Sequence, residues 1–154
     1  MPELADLQKA RIVHSVEIST IAHATDDLGK IQEALRFTLP DVLKDHEVFT
    51  RRYLEGHHSN PIVIFDAKLT RPAEIEQFTR HFVSELPKVE RLKIQRDMQL
   101  HCDPEGNMYV RLDKQQAFRG IAQLGGEDPI RIKIKLNRLL GTVEELIKKV
   151  LELQ

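Results

Sequence analysis

The sequence predicts an α+β domain, a largely antiparallel sheet of about six strands with helices packed on one face. Three observations predict it. Ile12 to Ala24 and Ile130 to Leu136 alternate apolar and polar side chains, the period-2 mark of strands with one buried face. Other stretches repeat apolar residues at helical spacing and are bounded by prolines or capping residues. Turns built from Gly, Asp and Pro punctuate the later part of the chain, which favours long antiparallel hairpins there.

Residues 1–8 read as a flexible polar leader, leaving 9–154 as a single domain. A chain of 154 residues with 41% hydrophobic content suits one core. In the first strand Ile12, Val16, Ile18 and Ala22 face one way, and Ser15, Glu17, Ser19 and His23 the other. His14 falls on the apolar parity and is expected as a satisfied or rim histidine. Thr25 is expected to cap the first helix, with Asp26 and Asp27 in the first turn, where the helix dipole favours anions. Leu28, Ile31, Leu35 and Leu39 form its apolar stripe, and Pro40 ends it. An acidic connector, Asp41 to Glu47, leads into a strand from Val48 to Leu54.

Ile62 to Leu69 is rich in β-formers and reads as a buried strand. Thr70 and Pro72 then open a helix with Ile75, Phe78, Phe82 and Leu86 on one side, closed by Pro87. Residues 88–98 read as a helix followed by a short strand around Leu100. Asp103 to Asn107 form a turn, after which Met108, Val110 and Leu112 point inward and Tyr109 and Arg111 outward. Asp113 caps a short helix that ends at Gly120, Ile121 to Leu124 returns as a strand, and Gly125 to Pro129 turn the chain into Ile130–Leu136. Thr142 and Glu145 form a capping box for the last helix, whose apolar side (Val143, Leu146, Ile147, Val150, Leu151) covers the aliphatic face of the sheet.

Charge points to one region. The net charge is only −1, so a nucleic-acid role needs a local patch. Residues 107–141 carry seven Lys/Arg against three acids, whereas residues 1–106 carry 14 against 18. Within that region Ile130, Ile132, Ile134 and Leu136 share one parity and Arg131, Lys133 and Lys135 the other. A cationic row on an open sheet face suits a phosphate backbone, although an ordinary solvated face has the same pattern. Tyr109 beside Arg111 would form a stacking platform for an unpaired base, or an ordinary packing pair.

The loop Gly56 to Pro61 places His57 and His58 on a tight turn with Asn60. These side chains could touch phosphate or base, or be solvated. A metal role is disfavoured because adjacent loop histidines seldom converge on one ion. Asp41, Asp66 and Lys68 mimic the two carboxylates and lysine of a metal-dependent nuclease, but Asp41 follows a helix end rather than sitting on the strand beside Asp66. No phosphate-loop, HExxH or CxxC pattern is present, so neither catalysis nor a cofactor or metal is expected. The lone Cys102 excludes an intramolecular disulfide and suits a reducing compartment. No apolar run approaches a membrane span, and a cytoplasmic location is expected.

Four stretches together carry a family resemblance: HSVEISTIAHATDD near the start, GHHSNPI (Gly56 to Ile62), GNMYVRLDKQQAF (Gly106 to Phe118) and EDPIRIKIK (Glu127 to Lys135). They resemble an archaeal family of small RNA-binding proteins, often labelled predicted exosome subunits, over about Val13 to Lys135. The resemblance implies a fold similar to ribosomal protein L-five, a cytoplasmic archaeal setting, and RNA binding rather than catalysis. It also implies association with the exosome or another RNA-processing complex. The residues it carries over are His57, His58, Asn60, Tyr109, Arg111, Asp113, Lys114 and Gln115. Ser59 stands where the family more often has glycine, which narrows the backbone angles open to that loop. The alternative is a structural or assembly module that docks to such a complex or forms a homodimer through its sheet.

Overall fold

The computed structural model describes residues 12–56 and 60–153. His57, His58 and Ser59 of the histidine loop lie outside the described residues, as does the leader at 1–8. The described elements run β1 (Val13–Ala22), α1 (Leu28–Phe37), α2 (Asp41–Lys44), β2 (Thr50–Glu55), β3 (Pro61–Leu69), α3 (Pro72–Glu85) and α4 (Lys88–Arg96). After a 3-10 turn at Met98–His101 come β4 (Asn107–Leu112), α5 (Lys114–Phe118), β5 (Ile130–Leu136) and, past a second 3-10 turn, α6 (Val143–Leu151).

The strands form one sheet of five in the order β2-β3-β1-β5-β4, antiparallel at every pairing. β1 is central because its apolar parity is matched on both sides: Val16 lies opposite Leu69 and Ile134, and Ile18 opposite Ala67 and Ile132. These residues, with Phe65, Met108, Val110, Leu112 and Ile130, are buried on one face. The helices cover that face. Ile75, Phe78, Phe82 and Val83 of α3 and Leu146, Ile147, Val150 and Leu151 of α6 complete the core, with the Phe78 and Phe82 rings stacked at 5.8 Å. Burying one such side chain contributes roughly 1.5–3 kcal/mol, so helical cover of the aliphatic face dominates the fold's stability.

Several local expectations change. The first helix is capped by Asp27, not Thr25: its Oδ1 accepts from the amides of Gly29 and Lys30, while Asp26 Oδ2 accepts from His23 N. The acidic connector contains the short helix α2. His14 is exposed rather than on the core face. A β-bulge between Val13 and Ser15 adds one residue, so Val13 takes the inward position opposite Leu136.

The expected strand around Leu100 is the 3-10 turn Met98–His101, with strand pairing limited to the Cys102–Met108 bridge. Ile121 to Leu124 likewise supplies a single bridge, Leu112–Leu124, rather than a sixth strand. Few further bonds hold it. Glu90 Oε2, buried on α4, accepts from Leu124 N at 3.1 Å, and Gln123 O accepts from Asp113 N. Thr142 Oγ1 accepts from Glu145 N as the capping box requires, and Asp113 caps α5 through Gln116 N.

Candidate nucleic-acid interface

The face opposite the helices is the candidate site. Strand register arranges its side chains in rows across the sheet. One row runs Arg111, Arg131, Ser19, Asp66, Thr50, and the next runs Tyr109, Lys133, Glu17, Lys68. Lys135 continues the basic row between Asn107 and Ser15. The two longer rows line an open trough of about 720 Å³. A second hollow of about 640 Å³ lies beyond the β4 edge, bounded by Arg96, Leu100 and His101, and shares Tyr109 and Arg111 with the trough.

The cations are not equivalent. Lys133 Nζ meets Glu17 Oε2 at 3.7 Å, and Arg52 Nε meets Asp66 Oδ2 at 3.1 Å, so two positive charges are already countered. Arg111 and Arg131 stand directly opposite each other across β4 and β5, both exposed. Among the described residues neither has a carboxylate within ion-pair distance. Like charges directly opposed on a sheet are destabilising, by up to about 1 kcal/mol on the scale of cross-strand pairs. An anion between them removes that cost. Lys68 and Lys135 are also exposed and form no ion pair among the described residues.

Tyr109 is fixed rather than free. Its hydroxyl donates to Asp103 Oδ2 at 2.7 Å, and its carbonyl lies 3.1 Å from His101 Nδ1. Partial desolvation works against the Asp103 carboxylate, but hydrogen bonds from the Asn107 side chain and amide and from Tyr109 outweigh it and hold Asp103 well below the usual carboxylate range. The same hydrogen bond, aided by desolvation and the Asp103 charge, pushes the Tyr109 phenol up. With its hydroxyl committed, Tyr109 presents ring surface to both hollows. The loop closes at Gly106, where φ is +93° and a Cβ would strike the Arg138 side chain at 2.6 Å.

Lys114 and Gln115 lie elsewhere. They border a smaller hollow of about 240 Å³ between α1 and α5, among Asp26, Asp27, Glu127 and Asp128. The Lys114 ammonium donates to Ile21 O at 2.6 Å and to Asp128 Oδ2 at 2.7 Å, with only 11% of the side chain exposed. It ties the end of β1 to the turn before β5 and lines the smaller hollow rather than the trough. Lys114, carried over as an RNA contact, is thus placed in this hollow rather than in the trough, with its ammonium engaged by the fold. Gln115 is exposed on α5 amid acidic groups, away from the trough. Asn60 is exposed at the start of β3, where its carbonyl accepts from Gly56 N.

His23, Asp26 and Asp128 form the group whose ligand atoms, among the described residues, lie close enough to share an ion. His23 Nε2 is 3.2 Å from the same Asp128 oxygen that holds Lys114, so that carboxylate already has a cation. Asp41 and Asp66 belong to no such group. Asp41 opens α2 against Lys44, whereas Asp66 lies on the open face against Arg52. Nothing in this arrangement supports a two-carboxylate nuclease centre. Sequence reasoning missed Asp103, whose fixing of Tyr109 spans six residues and leaves only a turn signal, and Leu100, which proved exposed.

Comparison with known proteins gives the family. A family model described as "RNA binding" matches residues 15–136. The chain is 32% identical over 141 residues to RNA-binding protein PAB1135 of Pyrococcus abyssi, covering 90% of this chain and 92% of that protein. Among solved structures, protein AF2318 of Archaeoglobus fulgidus, of the DUF54 family, superposes with a TM-score of 0.76 at 26% identity, covering 92% of this chain and 99% of that one. A DUF54 protein from Methanothermobacter thermautotrophicus matches with a TM-score of 0.69 at 29% identity, covering 91% and 98%.

Proposed function

The chain belongs to the RNA-binding family matched over residues 15–136, and from that premise we propose that it binds RNA, without catalysis, through the open face of its sheet. One observation carries the choice of face: Arg111 and Arg131, without ion-pair partners among the described residues, line with Lys68 a trough on the side the helices leave bare, and Lys135 lies in the next row. Lysine and arginine there would neutralise phosphates, the sequence-independent part of RNA affinity. His57, His58 and Asn60 would contribute from the β2–β3 connection, which joins the sheet at the end where Ala22 pairs with Val63. A role in RNA processing, in company with the exosome, extends this reading.

Fluorescence anisotropy with a labelled mixed-sequence RNA tests it. Reversing charge on the trough (R111E with R131E) should weaken binding at least tenfold. The same reversal of Lys148 and Lys149, exposed on α6 on the opposite side, should change it little. Equal losses from the two pairs would contradict the choice of face.

Assembly is the second reading, and β2 favours it. This edge strand is exposed at every residue, Tyr53 to 68%. An uncovered edge is a template for strand pairing with another chain. Light scattering across a concentration series, with Y53E alongside, decides between a monomer and a self-pairing sheet.

A further inference from the structure

We infer that the RNA partner is single-stranded and that it crosses the β4 edge, with one phosphate held between Arg111 and Arg131 and the adjoining base seated between Tyr109 and Leu100. This rests on the RNA-binding reading and assigns the parts of that site. Arg111 and Arg131 are opposed across the strands without a counter-charge among the described residues, so an anion bridging them relieves a repulsion built into the register. A phosphate there lies at the boundary of the two hollows, because Arg111 lines both.

The second hollow adds an apolar and aromatic wall to its cations. Leu100 is 79% exposed in the 3-10 turn Met98–His101, a large apolar side chain facing solvent beside the Tyr109 ring. The turn is not loosely hung, since His101 Nδ1 sits 3.1 Å from Tyr109 O and Cys102 bridges to Met108. Tyr109 is likewise fixed, its hydroxyl bound to Asp103, so the ring is a pre-set surface. A hollow of about 640 Å³ falls within the roughly 300–1,000 Å³ of small-ligand sites. Tyr109 and Leu100 on its wall suit the flat apolar surface of a base. Arg111 flanks it where the backbone would pass, whereas Arg96 is already engaged by Asp97 Oδ2 at 2.9 Å.

Only an unpaired strand can supply such a base. In an A-form duplex the bases are stacked inside, and proteins read it by shape and by contacts across successive minor grooves. A base turned out onto an aromatic ring is the recognition mode of single strands.

The test uses the full chain and three probes, a mixed-sequence single strand, the same strand with abasic sites and its duplex, with the single strand also measured against variants L100S and R111Q. Leu100 is exposed, so L100S keeps the fold, which thermal melting checks. The inference expects the intact strand to bind about tenfold tighter than the abasic strand, near the low end of base-stacking effects. It also expects the strand to bind more tightly than the duplex. L100S should weaken binding several-fold without changing the salt slope, whereas R111Q should reduce that slope by about 0.7, one phosphate contact on single-stranded RNA. Equal binding of the abasic and intact strands, or of duplex and single strand, overturns the inference while the charge-reversal effect on the trough still supports RNA binding. Loss of all RNA binding overturns both.

Discussion

Replacing Lys114 with methionine separates fold from function at the residue where the two are easiest to confuse. The ammonium makes two short hydrogen bonds, to Ile21 O and Asp128 Oδ2, from a side chain only 11% exposed. A hydrogen bond involving a charged group contributes about 1.5–3 kcal/mol, and a buried carbonyl left without its donor costs about 1–3 kcal/mol. Asp128 is 42% exposed and keeps His23 nearby, so water recovers part of the loss on that side. The net expectation is about 2–3 kcal/mol of destabilisation. For a chain of this size that lowers Tm by about 4–12 °C, given roughly 2–4 °C per kcal/mol. Urea and thermal unfolding measure the loss, and anisotropy measures RNA affinity below the melting range. K114M should melt early and bind RNA as the wild type does. A variant of unchanged stability with weakened RNA binding would refute the assignment and return Lys114 to the interface.

Other expectations follow from the same geometry. Glu17 counters Lys133 inside the trough, so E17Q should tighten RNA binding several-fold and steepen its salt dependence, read by anisotropy. The tyrosine hydroxyl faces Asp103 rather than the trough, so Y109F should leave RNA affinity within about twofold. In a Y53F background, D103N should bring the Tyr109 phenol back down, followed by ultraviolet titration of the tyrosinate.

Asp103 also shapes the acid limb of stability. Its folded-state carboxyl is depressed, so its contribution is present above the unfolded carboxylate range near pH 4 and is lost as pH falls through the lower folded value. D103N should therefore flatten the fall in stability below about pH 4. Glu90 anchors Leu124 N, and E90A should cost about 1–3 kcal/mol and deprotect that amide in hydrogen exchange.

Alternation made the sheet's two faces legible in advance. Ile130, Ile132 and Ile134 could be sorted from Arg131, Lys133 and Lys135 because a strand turns every other side chain through the sheet. Periodicity failed where the chain departs from regular spacing. One inserted residue at the bulge carried His14 outward, an event that leaves no mark in a hydrophobic pattern. Leu100 shares a parity with Met98 and Cys102, yet the backbone coils into a 3-10 turn and leaves it in solvent.

Ile121 to Leu124 has strand composition but is held by Glu90 and a single bridge, contacts distant in sequence. Lys114 was hard to read for a different reason. Its motif neighbourhood marks it as important without saying why, and residues from three of the resembling stretches, His23, Lys114 and Asp128, converge on one ion-paired cluster. A motif cannot tell a staple from a ligand. The Arg111–Arg131 opposition depends on register between strands separated by a helix and a loop, so composition showed the charges but not that they meet.

The most direct measurement is the salt dependence of RNA binding for the wild type and for the variant with Arg131, Lys133 and Lys135 changed to serine. On single-stranded RNA each phosphate contact contributes about 0.7 to the log–log slope, so losing three should reduce it by about 2, or somewhat less because Glu17 already engages Lys133. A fall of that size places phosphates on the open sheet face. A variant that binds RNA with the wild-type slope would mean the basic row is a solvated surface and that RNA, if bound, lies elsewhere on the molecule.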